Sequence, residues 1–295
     1  MGALAALACS KMNLSPIRYP GGKGKLAAKI AGIIDASTVR NGVYIEPFAG
    51  GAGAALSLLF SGKVQTIVIN DVDKAVASFW KSILNETERF VQKIHATAVT
   101  IDEWRNQKAV YQNQVDRCSF ELGFAFFFLN RTNRSGILTG GPIGGFEQKG
   151  DWKLDCRFNK DRLIEQIVEI AKRKKQIRVY NQDIFDFIER YLPRYQDNGF
   201  IYFDPPYFNK AGRLYKNSFN EEQHRKLHDA IVCLNAPWIV SYDNVPNICR
   251  IYSDVASEPL SINYCAAKKG TGSEIMFYCP ELARLYLKTR KQSPS

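Results

Sequence analysis

Cysteine is sparse in this 295-residue chain, and its spacing is not that of pairs. Seven residues (Cys9, Cys118, Cys156, Cys233, Cys249, Cys265 and Cys279) are dispersed with no C-x-x-C among them. An odd, scattered set excludes a disulfide framework and a cysteine-based zinc site, and points to reduced thiols in the cytoplasm. Only three histidines are present. His224 and His228 stand four apart, but they lack the neighbouring glutamate of a metalloprotease helix. They read as surface residues, and no metal is called for. Long apolar runs are missing too. The longest, Phe120 to Leu129, contains Glu121 and covers about half of the ~20 residues a spanning helix needs, which argues against a membrane partner. The apolar start, Met1 to Ser10, has no basic stretch ahead of it and reads as a frayed extension, not a secretion signal. No internal repeat or low-complexity tract is visible. Acidic charge is in short supply: 29 Asp and Glu against 40 Lys and Arg leave a net charge of +11. Such an excess favours a polyanion such as nucleic acid, with a merely solubilising basic surface as the alternative.

What the chain does have is an alternation of patterns. Helical spacing from Lys23 to Ile34 precedes a short strand, Val43 to Glu46. The turn Phe48-Ala49-Gly50-Gly51-Ala52-Gly53 then feeds a helix through Phe60. The β-branched run Thr66 to Ile69 ends on Asn70-Asp71 and leads into helical sequence through Leu84. This is the signature of a parallel sheet wrapped by helices. From about Asn85 to Ile170 the sequence is mostly helical, broken by a Gly-rich stretch from Asn130 to Gly150. Strand patterns resume at Ile177 to Tyr180, Phe200 to Phe203, Trp238 to Ser241, Arg250 to Val255 and Glu274 to Tyr278. Helices are expected at Ile184 to Tyr191 and Glu221 to Leu234. The expectation is one discontinuous α/β domain, 15–90 with 171–285, carrying an insertion at 91–170.

Two sites suggest chemistry. The glycines after the first strand let a backbone approach a ligand closely, and Asp71 at the end of the second strand is placed to accept two ribose hydroxyls. The spacing departs from the G-x-G-x-x-G fingerprint, which disfavours a dinucleotide. The stronger signal is Asp204-Pro205-Pro206-Tyr207, directly after the apolar strand Phe200 to Phe203. The prolines fix the chain where the strand meets the carboxyl edge of the sheet. Asp204 and the Pro205 carbonyl then form two adjacent acceptors beside an aromatic ring, a receptor for an NH2 group on a flat, stackable base. A Pro-rich turn closed by an Asp is the structural alternative.

Taken in order, the motifs resemble the D12 class of adenine-specific DNA methyltransferases, the group that includes the Dam-type enzymes. The matching residues are Arg18-Tyr19-Pro20-Gly21-Gly22-Lys23, Glu46-Pro47-Phe48-Ala49-Gly50-Gly51, Asn70-Asp71, Asn130-Arg131, Asn181-Gln182-Asp183, Asp204-Pro205-Pro206-Tyr207, Asn217-Ser218-Phe219 and Ser241-Tyr242-Asp243-Asn244. The resemblance spans about 15–280. It implies a Rossmann-like class I methyltransferase sheet with a mostly helical inserted DNA-recognition domain, and S-adenosylmethionine as cofactor. Tyr19, Lys23, Glu46, Pro47, Phe48, Ala49, Gly50 and Gly51 would line the cofactor, with Lys23, Phe48 and Gly50 at its methionine end. Asp71 would hold its ribose and Asp183 its adenine amino group, with Ile184 or Phe185 packing on that ring; Asp204 would also border it. Asp204, Pro205, Pro206 and Tyr207 would hold the target base. The extra glycine in the turn and the run Asn130-Arg131-Thr132-Asn133-Arg134-Ser135-Gly136, which lacks the aromatic wedge of Dam-like enzymes, are departures from the family. Dam's recognition sequence therefore does not carry over.

The implied partner is double-stranded DNA, from which an adenine must be flipped to be reached. Asn130, Arg131, Asn133 and Arg134 are the candidate DNA contacts, because Arg suits guanine and Asn adenine in the major groove. Phosphate contact or helix capping is the alternative for them. An RNA adenine methyltransferase and a catalytically silent nucleic-acid-binding protein are the competing functions. A restriction endonuclease partner, or none, fits equally.

Overall fold

The computed structural model describes residues 14–18, 26–113, 117–208, 219–261 and 273–287. Its strands are β1 (Val43–Glu46), β2 (Thr66–Asn70), β3 (Ile177–Tyr180), β4 (Gly199–Phe203), β5 (Trp238–Asp243), β6 (Ala256–Ser261) and β7 (Ser273–Tyr278). They form one sheet in the order β3-β2-β1-β4-β5-β7-β6. The first five are parallel, and β7 is antiparallel to both β5 and β6. Central strands buried on both faces need continuous apolar runs. Accordingly, every residue of β4 and β5 is buried. Strand order reverses between β1 and β4, and it is at such a switch point, beyond the carboxyl ends, that an open α/β sheet forms a ligand crevice. The result is a Rossmann-like α/β sheet with an antiparallel β7–β6 edge.

The helices are α1 (Ala27–Ala36), α2 (Gly53–Phe60), α3 (Lys74–Asn85), α4 (Thr87–Ala96), α5 (Ile101–Gln112), α6 (Phe120–Thr132), α7 (Lys160–Ala171), α8 (Ile184–Asp186, continued by a wider turn to Tyr191), α9 (Glu221–Val232) and α10 (Pro246–Ile251). Polar caps set their starts. Asp73, Thr100, Ser119 and Asn159 each accept a first-turn N–H, and Asn220 with Gln223 forms a reciprocal capping box. The apolar run from Phe120 is a core helix. In α6, Phe124, Phe127 and Phe128 are wholly buried and belong to the same apolar cluster as the sheet. α6 packs on α3 and α5, and α7 on α4. The first of these contacts is close: a Cβ on Gly123 would stand 2.7 Å from the Ser78 carbonyl.

Two expectations are corrected. Arg250 to Val255 is not a strand. Pro246 sits at the first position of α10, where its missing N–H costs nothing, so helix and turn run through these residues and the strand begins at Ala256. His224 is not a surface residue. It is fully buried, and its Nδ1 lies 2.9 Å from the Tyr242 hydroxyl. Burial pulls its imidazole down to about 4, so the ring is neutral at physiological pH. Met1 to Ser10 lie outside the described residues. Among the described residues, no helix is long and apolar enough to cross a membrane.

Candidate active site at the carboxyl edge of the sheet

The turn leaving β1 is tied down on three sides. Ala49 N donates to the Asn70 carbonyl (2.9 Å), Gly50 N to Asp71 Oδ2 (2.9 Å), and Trp80 Nε1 to the Gly50 carbonyl (3.0 Å). Gly50 and Ala52 both hold φ near +45°, a conformation that glycine adopts freely and alanine does not. The second is thus a strained site in a loop made almost entirely of small residues. Glu46, buried at the end of β1, accepts from Ala55 N at 3.3 Å and so serves the otherwise uncapped start of α2. Pro47, Ala49 and Gly51 are buried within the turn, and Phe48 is half-buried.

Asp71 follows β2. Its second oxygen accepts from Asp73 N at 2.9 Å. Burial, reinforced by the Asp73 charge, pushes its carboxyl up to about 7 against the opposing pull of these two N–H groups. Asn70 braces the same region: its amide reaches the carbonyls of Pro47 and Gln182 (both 3.1 Å) and accepts from Gln182 N (3.0 Å). Asp183 is exposed and caps α8 by accepting from Phe185 N at 2.9 Å; Ile184 beneath it is buried. Phe185 lies parallel to Phe219 (centroids 6.4 Å apart, 16°), and Phe48 meets Phe219 edge-on at 6.1 Å. Lys226 Nζ sits 4.1 Å from the Phe185 ring centroid. Turn, acid and aromatic rings therefore share one corner of the sheet. Tyr19 and Lys23 lie outside the described residues.

Asp204 stands at the end of β4. Ser241 Oγ, on neighbouring β5, donates to Asp204 Oδ1 at 3.1 Å and lies 2.8 Å from the Tyr202 hydroxyl. Pro205 is buried and Pro206 half-buried. The Tyr207 ring is 9% exposed, and its hydroxyl donates to Glu274 on β7. Burial, with the carboxylates of Asp204 and Glu274 nearby, raises this phenol far above its ordinary range, so it remains a donor. Phe208 N donates to Asp243 Oδ1 at 3.1 Å, which extends the anchorage past the motif. Because β1 lies between β2 and β4, Asp71 and Asp204 are separated by two strand spacings, about 10 Å. A ligand held at one end can present a reactive group at the other.

The candidate DNA contacts at the end of α6 divide into two kinds. Asn130 is 2% exposed. It accepts from Arg18 N (2.6 Å) and donates to the carbonyls of Arg18 (2.7 Å) and Gly136 (3.1 Å). Asn133 is wholly buried. It accepts from Trp104 Nε1 (2.7 Å) and donates to the carbonyls of Ile137 (2.8 Å) and Leu138 (3.3 Å). Both amides are committed inside the fold. Arg131 is half-buried with Nε on the Arg157 carbonyl, whereas Arg134 is exposed. The Gly-rich stretch beyond them forms a chain of turns, bridged once between Asn133 and Pro142.

Ser241, Glu274, Trp80 and Phe219 were not singled out individually by sequence reasoning, although Ser241 and Phe219 stood within matched motifs. A glutamate heading the apolar strand run Glu274 to Tyr278 was the available signal for Glu274. Among the described residues, no group of three or more His, Cys, Asp or Glu side chains is arranged to hold a metal ion.

Comparison with known proteins gives a consistent result. The profile of the family described as D12 class N6 adenine-specific DNA methyltransferase matches residues 19–265. The type II methyltransferase M.MjaIII of Methanocaldococcus jannaschii is 22% identical over 237 residues, covering 73% of this chain and 78% of that protein. M1.LlaDCHI of Lactococcus lactis subsp. cremoris is 25% identical over 264 residues, covering 83% and 87%. M.CviBI of Paramecium bursaria Chlorella virus NC1A is 25% identical over 223 residues, covering 72% and 75%. Both of these are also type II methyltransferases.

Proposed function

The chain belongs to the D12 class of N6 adenine-specific DNA methyltransferases, and from that premise we propose that it methylates an adenine flipped out of duplex DNA, with S-adenosylmethionine as donor. The observation that carries this reading is the Asp204 carboxylate, held by Ser241 at the sheet edge beside a Tyr207 ring that Glu274 fixes. The corner around Asp71 suits the cofactor. A loop of small residues permits close approach, a half-buried carboxylate can accept ribose hydroxyls, and Phe48, Phe185 and Phe219 offer apolar faces to a purine. Bound there, S-adenosylmethionine supplies an electrophilic methyl group on a sulfonium whose departure is neutral.

The protein's part is to make a poor nucleophile competent. The N6 lone pair is delocalised into the purine. Asp204 and the Pro205 carbonyl accept its two hydrogens, favouring a tetrahedral nitrogen and stabilising the positive charge that builds there. Tyr207 stacks on the extruded base and offsets part of the few kcal/mol that unstacking costs. With its hydroxyl bound to Glu274, the ring meets the base without first losing rotational freedom. The methylated nitrogen is strongly acidic, so Asp204 or water takes the proton without any raised carboxyl pKa.

Within this reading the catalytic unit comprises 15–90 with 171–285, and 91–170 recognises the target. Catalysis needs no metal, and the enzyme works on DNA in the cytoplasm, with or without a partner endonuclease in a restriction-modification pair. The family match concerns DNA enzymes, which favours DNA over RNA as substrate and turnover over a silent binder. Sequencing DNA from cells that express the protein, with a readout of modified adenines, tests the function. N6-methyladenine in one short motif is expected, and unmodified DNA from cells holding soluble protein overturns the proposal.

A further inference from the structure

Four arginines gather where the last turn of α6 faces the loop before α7: Arg18, Arg131, Arg157 and Arg162. Two are fixed through main-chain atoms. Arg131 Nε donates to the Arg157 carbonyl at 2.6 Å, and Arg18 Nη1 to the Asn133 carbonyl at 3.1 Å. Arg18 is further positioned by Asn130, which bonds both its N–H and its carbonyl. A guanidinium has five N–H donors, so each of these anchors leaves most of the fork available. Arg162 lies in the first turn of α7, at the positive end of that helix. Arg157 and Arg162 are exposed.

Among the described residues, none of the four arginines is paired with a carboxylate. The charges acting on Arg131 are Arg18, Arg162, Arg157 and the Cys156 thiol. Those acting on Arg18 are Arg157 and Cys156, and among the described residues no carboxylate is found with them. Burial and the neighbouring guanidinium groups pull Arg131 down to about 10, so it is still charged at neutral pH. Several cations elsewhere are paired with acids: Arg89 with Glu86 and Glu121, Lys63 with Asp35, Arg225 with Glu221. Helix capping explains only the Arg18 contact with Asn133. A base edge does not explain the rest, since even guanine offers one guanidinium two acceptors in the major groove. A phosphate group, with several oxygens around one centre, accepts from several forks at once.

The geometry points to a phosphodiester clamp, in which Arg18, Arg131, Arg157 and Arg162 grip a backbone phosphate of the target duplex and set its register. This rests on the reading of the chain as a DNA methyltransferase. It also separates Arg131 from Arg134: the former is committed to the backbone, and the latter is left to read a base.

The test is the double variant Arg157→Gln, Arg162→Gln, which removes exposed charge and leaves the Arg157 carbonyl in place. Duplex affinity is measured by fluorescence anisotropy across salt concentrations. The probes are the motif found by methylation sequencing, its single-base substitutions, and a random duplex. The expected result is a roughly tenfold loss on every sequence alike and a salt slope shallower by about one to two units, with cofactor affinity and thermal midpoint unchanged. Unchanged affinity and slope overturn the clamp, as does a loss that depends on the base at one position. Stabilisation of the wild type by inorganic phosphate that the variant loses, with DNA binding equal in both, also overturns it in favour of a free-anion site. Failure of the methyltransferase reading shows separately, as unmodified DNA from wild-type expression. The random-duplex comparison still decides the clamp in that case.

Discussion

The carboxyl edge of the sheet and the end of α6 both collect polar side chains, but to opposite ends. At the edge, buried groups support the residues of the motif: Ser241 holds Asp204, Glu274 holds Tyr207, and Asn70 holds the loops around Asp71. At the end of α6 the amides are themselves the support. Asn130 and Asn133 satisfy backbone and indole groups, and only arginines reach outward. Strand ends stop with their last side chains at a crevice, whereas a helix end must find partners for its free carbonyls first. The same residue types therefore do chemistry in one place and scaffolding in the other.

The contrast can be broken most sharply at Asp204. Asp204→Ala should lower turnover on duplex DNA by about 100-fold or more, the scale for losing a group that stabilises developing charge. Cofactor affinity by calorimetry should stay within a few-fold. Near-normal turnover with radiolabelled cofactor would remove Asp204 from the chemistry. Next in size is Asn133→Ala, which strands Trp104 Nε1 in the interior, while the Ile137 and Leu138 carbonyls keep Gly140 N (3.0 Å) and Lys108 Nζ (2.6 Å). It should cost about 1–3 kcal/mol of unfolding free energy in urea while leaving the preferred DNA motif intact. A stable variant with an altered motif would place base reading on Asn133 after all.

Asp71→Asn should weaken the cofactor by about 1.5–3 kcal/mol. The wild type should add a pH dependence with a definite sign. Ribose hydroxyls favour the ionised carboxylate, but the free protein holds a proton there below about pH 7. Binding must then expel it, so affinity should fall about tenfold for each pH unit below 7 and level off above it. Folding runs the other way. Between about pH 4, where the unfolded carboxyl titrates, and pH 7, the native state holds a proton the unfolded chain lacks. That contribution is full at low pH and is lost as pH rises through 7. Calorimetry between pH 6 and 8 on wild type and variant checks both; a flat profile in the wild type removes Asp71 from the ligand. The smallest effect expected is for Arg134→Ala, with discrimination lost at one base pair by about 1–3 kcal/mol and little change in stability. Equal weakening on every single-substituted site would make Arg134 a phosphate contact like its neighbours.

Much of the edge was legible because it is local. Phe200 to Phe203 followed by Asp-Pro-Pro-Tyr carries strand, stop and receptor within eight residues. The turn after β1 and Asp71 after β2 are similarly self-contained. The rest depends on partners far away in the chain. Glu274 meets Tyr207 across 67 positions and Arg18 meets Asn130 across 112, so no window of sequence pairs them. Asn130 and Asn133 looked like readers because an asparagine beside an arginine has the same letters whether its amide faces a groove or a carbonyl. His224 looked superficial because it was weighed only as a metal ligand, although it shares a buried helix face with Leu227 and Ile231; the Phe208, Phe219 and Tyr242 rings that surround it lie outside that helix. The displaced strand near 250 is a matter of one proline: Pro246 starts a helix that consumes the apolar residues a strand pattern would claim.

Gly123 has a consequence for how such a protein can be re-engineered. With no side chain there, α6 lies directly on the backbone of α3, the helix whose Trp80 also secures Gly50. An alanine at 123 would push against peptide atoms that cannot rotate away, at a cost of about 1–3 kcal/mol. The segment 91–170, proposed to recognise the target, is thus joined through its spine. An interchangeable reading head exchanged at 91 and 170 would carry away half of the α3–α6 seam together with Phe124, Phe127 and Phe128. On the proposed reading, the cut for swapping specificity lies further out, after Leu138 and before Leu154, where the exposed Phe146 and Trp152 can be replaced while Leu154 and Phe158, the latter packed on Phe127 and Phe128, stay in place.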